Sequence, residues 1–422
     1  MKGFRFYGFV VALVVLGMIA AACGPTPPPA APKGKLEIFS WWTAGGEAEG
    51  LNALYDVYKK KYPGVEIINA TVAGGAGAQA KAVLTTRMLG GDPPDSFQVH
   101  AGHELIDTWV VTGKMEPLTS LYKSEGWDKA FPKGVLDIVS YKGDYWSVPV
   151  NIHRSNVLWY SKKVFADNKL EPPKTFDEFF KVADALKAKG IVPLVMGTKD
   201  GWEAGHVFED VLAGTLGAEA YNGLWTGKTA WTDPKVTEAL NNFKKMLAYI
   251  NTDHSALTWD GAGQYLIDGK GGMMIMGDWT NGWFMSKNFT GYGWAPTPGA
   301  SGIFVALSDS FGLPKGAKNR DNVIAWLKVL GSKEGQDAFN PKKGSIPARI
   351  DPDKNLYNDY LKSAMADWAK DAIVPSPIHG AAASEGWATA YKDAIAVFVA
   401  KQDVAATQKA LQQACVDAKV CK

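Results

Sequence analysis

The chain has 422 residues with 45 basic and 43 acidic side chains, a near balance with no basic tract, which excludes a charge-driven nucleic-acid binder. Its length suffices for two ordinary domains. Tryptophan is the outlier, 16 residues against 3 cysteines, more indole than core filling explains, because a buried indole N–H needs a partner.

Lys2 and Arg5 precede a nearly unbroken apolar run from Tyr7 to Ala21 that closes on small residues. That order is a secretory signal over residues 1–22, too short to be a comfortable membrane span. It ends Ala20-Ala21-Ala22-Cys23-Gly24, the small-residues-then-cysteine ending of bacterial lipoprotein signals. Cys23 is therefore expected to carry a lipid, although position 20 is Ala where the usual signal has Leu or Val. Gly24 to Pro32 reads GPTPPPAAP, so residues 23–34 read as a lipidated cysteine and a solvated, semi-rigid tether.

From Lys35 to Ser40 the pattern alternates as a strand should. Glu47 to Tyr62 carries Leu51, Leu54, Tyr55, Tyr58 and Tyr62 at helical spacing, stopped by Pro63-Gly64. Val65 to Ala70 is a strand, Ala73 to Ala78 a Gly-rich turn, Gln79 to Leu89 a helix, and Ser96 to His100 a strand. That alternation predicts a parallel α/β lobe. Short apolar strands follow at Tyr145 to Pro149, Val157 to Tyr160, Ile191 to Met196 and Gly272 to Met276. Thr175-Phe176-Asp177-Glu178 is a capping box, and Glu203 to Leu216 and Pro234 to Ile250 are helices. The last third mixes a strand near Ile303 to Leu307 with helices at Asp321 to Leu330 and Trp387 to Ala400. No fixed-period repeat emerges.

Several chemistries are excluded. The glycines at 74, 75 and 77 lack the Gly-Lys-Ser/Thr ending of a phosphate loop and read as backbone flexibility before a helix. Six histidines, including His100-x-x-His103, show no metal-site spacing, so no metal or other cofactor is expected. No Gly-x-Ser-x-Gly elbow exists, and Cys415 and Cys421 lack the setting of a catalytic thiol. In an oxidising compartment those two cysteines either bridge the last turn to the tail or remain free.

What recurs is an indole beside a polar side chain at a strand end. Trp41-Trp42-Thr43 ends the first strand, with Glu47 opening the next helix. Gln98 and His100 end the third, Asp278-Trp279 follows another, and Asp309-Ser310 another. In open α/β sheets ligands sit outside the carboxyl ends of strands. A pyranose offers a C–H face for indole and hydroxyls for carboxylate, amide and imidazole groups. The pattern is that of a sugar site.

Several blocks, in one order, carry a resemblance: Ser40 to Glu47, Pro149 to Asn156, Gly277-Asp278-Trp279, Ser308 to Phe311, Lys343 to Arg349, and His379-Gly380. The chain resembles the extracellular solute-binding proteins of ATP-driven sugar importers, the maltose-binding-protein class, within the branch that binds glucose and in some members galactose or mannose. The resemblance implies an α/β, two-lobed periplasmic-binding fold (type II-like), with a ligand cleft between lobes made from 35–145 with 301–345 and 150–298 with 350–422. The crossovers would be 146–149, 299–300 and 346–349. It implies a sugar against Trp41 or Trp42, bonded by Glu47, Gln98, His100, Asp309, Lys343 and His379, with Trp259 or Trp279 closing from the second lobe. Asp278 belongs to the same set, Asn151 and His153 are hinge or site, and Trp202 is a further candidate. Strand alternation favours Trp42 at the sugar and Trp41 packed within its lobe.

The implied function is high-affinity capture of a monosaccharide and delivery, by hinge closure, to the permease subunits of an ABC importer. The protein would be a monomer held by its lipid at the outer face of the cytoplasmic membrane. The alternatives are a disaccharide or oligosaccharide receptor and, more remotely, a glycoside hydrolase, which needs two carboxylates flanking the scissile bond.

Overall fold

A computed structural model describes residues 32–421. The expected signal, Cys23 and most of the tether lie outside the described residues.

The chain folds into helix-flanked sheets. The first runs in the order Val65–Asn69, Gly34–Phe39, Ser96–His100, Asp309–Gly312, Ser147–Pro149. Its first three strands are parallel and the last two pairings antiparallel. The second runs Tyr292–Pro296, Val157–Ser161, Gly271–Ile275, Val192–Leu194. A small third sheet pairs Ile303–Leu307 with Ala372–Pro375 and with His153–Arg154. The chain leaves the first sheet after Pro149, contributes His153–Arg154 to the third, and enters the second at Val157. A bridge between Ile152 and Ile346 ties that passage to the segment after the helix Lys333–Lys343. Sheets flanked by helices, joined through a few short strands, give the two-lobed α/β fold expected from the sequence.

The elements follow the reasons given for them. The helix Gly45–Lys61 buries Leu51, Leu54, Tyr55 and Tyr58 on one face, and Lys59 to Lys61 sit at its carboxyl end, where the helix dipole favours cations. Burying each such apolar side chain stabilises the fold by about 1.5–3 kcal/mol. The helix Phe176–Lys187 is capped by Thr175, whose hydroxyl accepts from the Glu178 N–H. Glu178 reaches back to the Lys174 N–H, one residue beyond the usual box. Cys415 and Cys421 are joined, S–S 2.03 Å, pinning the end of the last helix to the tail. Among the described residues no helix is long and apolar enough to cross a membrane.

One helix departs from the ordinary pattern. Glu203–Leu216 is buried on every side, and it carries Glu203, His206, Glu209 and Asp210 into the interior.

Candidate functional site

Register sets the site. Asp309 stands directly opposite His100 in the antiparallel pair, and Phe311 opposite Gln98. Both members of the first pair lie at the edge where Gly34–Phe39 also ends, so Ser40, Trp41 and Trp42 emerge beside them.

A polar network organises that edge. The Gln98 amide donates to Asp309 Oδ1 at 2.8 Å, while its oxygen accepts from Ser40 Oγ at 2.8 Å and from the Trp41 N–H at 3.2 Å. Asn151 donates to Asp309 Oδ2 at 2.8 Å and accepts from the Asp309 N–H at 2.8 Å. His153 stands between two carboxylates: Nδ1 contacts Asp278, and Nε2 lies 3.2 Å from Asp309 Oδ2 and 2.9 Å from the Asn151 amide nitrogen. Asp278 also accepts from the Arg154 N–H at 2.9 Å. His100 Nδ1 lies 2.7 Å from Glu104, which Lys81 also meets at 2.7 Å. Lys343, fully buried, donates to Glu47 Oε1 at 2.9 Å with its ammonium 5.6 Å from the Trp42 ring centre and 6.0 Å from that of Trp279.

Charge follows from these contacts. Burial pushes the Asp309 carboxyl up, but His153, Lys343 and His100 outweigh it and hold Asp309 well below the ordinary range. Burial and the Lys343 ammonium oppose a charge on His153, yet Asp278 and Asp309 raise its pKa. Glu104 is drawn down to about 2, against its burial, by Lys81 and His100. The edge therefore presents an ionised Asp309 held by donors on both oxygens.

Facing it is a cavity walled by indoles. Trp41, Trp42, Trp202, Trp259 and Trp279 line it together with Glu47, Gly74, Gly75, His100, His153, Leu307, Asp309, Lys343 and His379. Counted with the solvent it opens to, its space not filled by protein atoms is about 410 Å³, and an outer space of about 1,020 Å³, counted the same way, adjoins it past Trp41, Glu47, Gly74, Gly75 and Trp259. The Gly-rich turn now has a reason beyond flexibility. A Cβ on Gly75 would stand 2.5 Å from Trp202 Nε1, and one on Gly77, at φ +74°, 2.7 Å from the Trp41 ring. Two glycines let the chain press against two walls of the cavity.

Of the thirteen side chains read from the sequence as ligand-binding, ten line this cavity. Gln98, Asn151 and Asp278 do not; they are buried one layer behind, with their polar atoms taken up by the lining residues or by backbone. Trp41 and Trp42 both face the cavity. Strand alternation does not govern them, because the strand ends at Phe39. Trp42 wedges between Phe311 and Phe339, and Trp41 lies against His100. Trp202 lines the cavity as well, at the head of the buried helix Glu203–Leu216.

Behind Trp202 and Trp279 lies a second polar cluster that no spacing signalled. His206 Nδ1 is 3.4 Å from His379 Nε2 and 3.6 Å from Glu209 Oε1, and its Nε2 is 3.8 Å from Asp210 Oδ2. Burial lowers the His206 pKa to about 3 and, with the neighbouring histidines, puts that of His379 well below its ordinary value. Burial pushes Glu203 up to about 8. His206 and His379 are 173 residues apart along the chain, which is why the sequence did not reveal the cluster.

Residues 34–337 match the family of bacterial extracellular solute-binding proteins. The chain is 36% identical to an ABC-transporter extracellular-binding protein of Pyrococcus horikoshii, over 94% of this chain and 91% of that one. It is 32% identical to a probable sugar-binding periplasmic protein of Mesorhizobium japonicum, over 86% and 89% of the two chains. In fold it is similar to the bacterial solute receptor AcbH, TM-score 0.81 at 21% identity, covering 91% of this chain and 99% of that one. A family match across most of the chain, on a two-lobed fold with a walled cavity, makes this protein a member of the bacterial extracellular solute-binding proteins.

Proposed function

We propose that this protein binds a sugar, a single aldopyranose with glucose first and galactose or mannose next, and hands it to the permease of an ATP-driven importer. The observation that carries this reading is the inner cavity: five indoles for the C–H faces of a ring, and an ionised Asp309 with Glu47, His100, His153, Lys343 and His379 for its hydroxyls. The probable sugar-binding relative supports the substrate class, and AcbH, described with an exclusive preference for β-D-galactopyranose, supports a monosaccharide.

Mechanically, the ligand bridges two lobes, 35–145 with 301–345 and 150–298 with 350–422, which close about the crossing segments. The lobe-one edge around Asp309 is held in place by its own hydrogen bonds before the ligand arrives. Trp259, Trp279 and Trp202 complete the enclosure from the other side. The protein acts as a monomer whose sugar binding needs no cofactor, tethered through Cys23 close to its permease, where spacer reach sets the effective concentration.

The adjoining outer space of about 1,020 Å³ favours a second reading, a disaccharide or oligosaccharide whose further rings lie past Trp41 and Trp259. A hydrolase fits poorly. A general acid needs a raised pKa, whereas Asp309 is held down, and Glu203, Glu209 and Asp210, the carboxyls that burial raises, do not line the cavity. Tryptophan fluorescence tests the reading: glucose should shift the emission and saturate, and a disaccharide that saturates while monosaccharides do nothing would replace it with the second.

A further inference from the structure

We propose that His206, Glu209 and His379 bind a divalent metal ion of the zinc class, a site that shares the wall residue His379 with the sugar cavity and whose test needs no sugar. Their ligand atoms all lie within 4.8 Å of one another, and all three side chains are buried. Zinc with bonds of 2.0–2.1 Å in tetrahedral geometry sets its ligand atoms about 3.4 Å apart. Two of the three separations are near this, 3.4 Å between His206 Nδ1 and His379 Nε2 and 3.6 Å between His206 Nδ1 and Glu209 Oε1, and the third is within 4.8 Å. Two imidazoles and one carboxylate, with the fourth position left for water, are a borderline-soft donor set that suits zinc better than calcium or magnesium.

The surroundings fit the outer shell of such a site. Metal-bound histidines usually pass their other ring N–H to a carboxylate. His206 Nε2 points away from the trio toward Asp210 Oδ2 at 3.8 Å, and that nitrogen and both Asp210 oxygens are buried without any hydrogen-bond partner. Glu209 is aimed by Ser376 at 2.9 Å, by the Ile378 N–H at 3.3 Å and by Ser155. With the single Ser376 proton on Oε2, Oε1 accepts only from Ser155 and keeps a lone pair for a metal. Of the three, His379 alone is a wall residue of the sugar cavity, so an ion would reach the trio from that side. Without a metal, Ser155 Oγ, 3.2 Å from His206 Nδ1, takes the place of that bond. A bound ion would hold His379 Nε2 free of a proton, leaving the proton on Nδ1, a nitrogen that bonds no protein group among the described residues.

The experiment uses untagged, chelator-stripped protein titrated with Zn²⁺ by calorimetry and with Co²⁺ by visible absorption, no sugar being present. Exposed His103, 2.9 Å from Asp107, is a competing surface site, so the titrations are run on His103→Ala. One ion per chain with tetrahedral Co²⁺ bands is expected, weakened at least 100-fold in Glu209→Gln and His206→Asn and about 10–100-fold in Asp210→Asn. Absence of saturable uptake by the stripped protein, or uptake by His103→Ala that Glu209→Gln and His206→Asn leave unchanged, overturns the site. If those two variants fail to fold, the Co²⁺ spectrum of the parent protein decides alone: tetrahedral bands support the site, and octahedral or absent bands overturn it.

Discussion

The two polar regions of this molecule are built on opposite principles. Around Asp309 the buried carboxylates and amides meet partners: Gln98, Asn151 and His153 on Asp309, Arg154 and His153 on Asp278, Glu47 on Lys343. Around the helix Glu203–Leu216 several do not, and His206 Nε2 and both Asp210 oxygens stand without a partner. A saturated network costs nothing to reorganise when a ligand arrives, so it serves as a preset template. An unsaturated one holds groups that burial disfavours in their charged form, and its energy depends on what binds it, a proton or an ion. Position in the fold, more than residue type, separates the two.

The comparison breaks most readily at Asp309. Asp309→Ala takes from His153 one of its two carboxylates and from the buried Gln98 amide its acceptor, and losing one partner of a buried pair costs about 3–5 kcal/mol. Denaturant unfolding should record a loss of that order; a loss below about 1 kcal/mol would mean the network is not the scaffold described. Next is the indole wall. Trp279→Ala removes the ring that touches His153, Trp202, His206 and His379. It should weaken glucose binding by about 2 kcal/mol, roughly thirtyfold, in calorimetry, while a change under threefold would take Trp279 out of the site.

The unsaturated region predicts an effect of the opposite sign. Glu203 has a folded pKa near 8, against about 4.3 when unfolded. Between those values the folded protein holds a proton that the unfolded chain has released, so stability falls as pH rises through that window. Glu203→Gln removes the titration. It should leave stability nearly unchanged at pH 4 and raise it by about 1–3 kcal/mol at pH 8, read by thermal unfolding at both. A variant less stable at pH 8 would show that Glu203 is favourably ionised in the fold.

Much of this was legible because it is local. Leu51, Leu54, Tyr55 and Tyr58 announce a helix by spacing, and Trp41-Trp42 announces a site by falling at a strand end. What escaped is tertiary. Gln98, Asn151 and Asp278 carry the right chemistry for a ligand, but their partners stand 211, 158 and 124 residues away along the chain, and only the fold shows them turned to the layer behind. Gly75 and Gly77 read as flexibility, since sequence does not show which indoles they let the backbone approach. Glu203, His206 and Asp210, at helical spacing, have the period of a solvated face, yet the helix that bears them is buried all round.

The central claim, a single sugar ring held between two lobes, is tested most directly by calorimetric titration of the mature protein with glucose, galactose, mannose and a panel of disaccharides. One monosaccharide, glucose first, should bind at one site per chain at least tenfold more tightly than any disaccharide. Saturation by a disaccharide with no heat from any monosaccharide would contradict it.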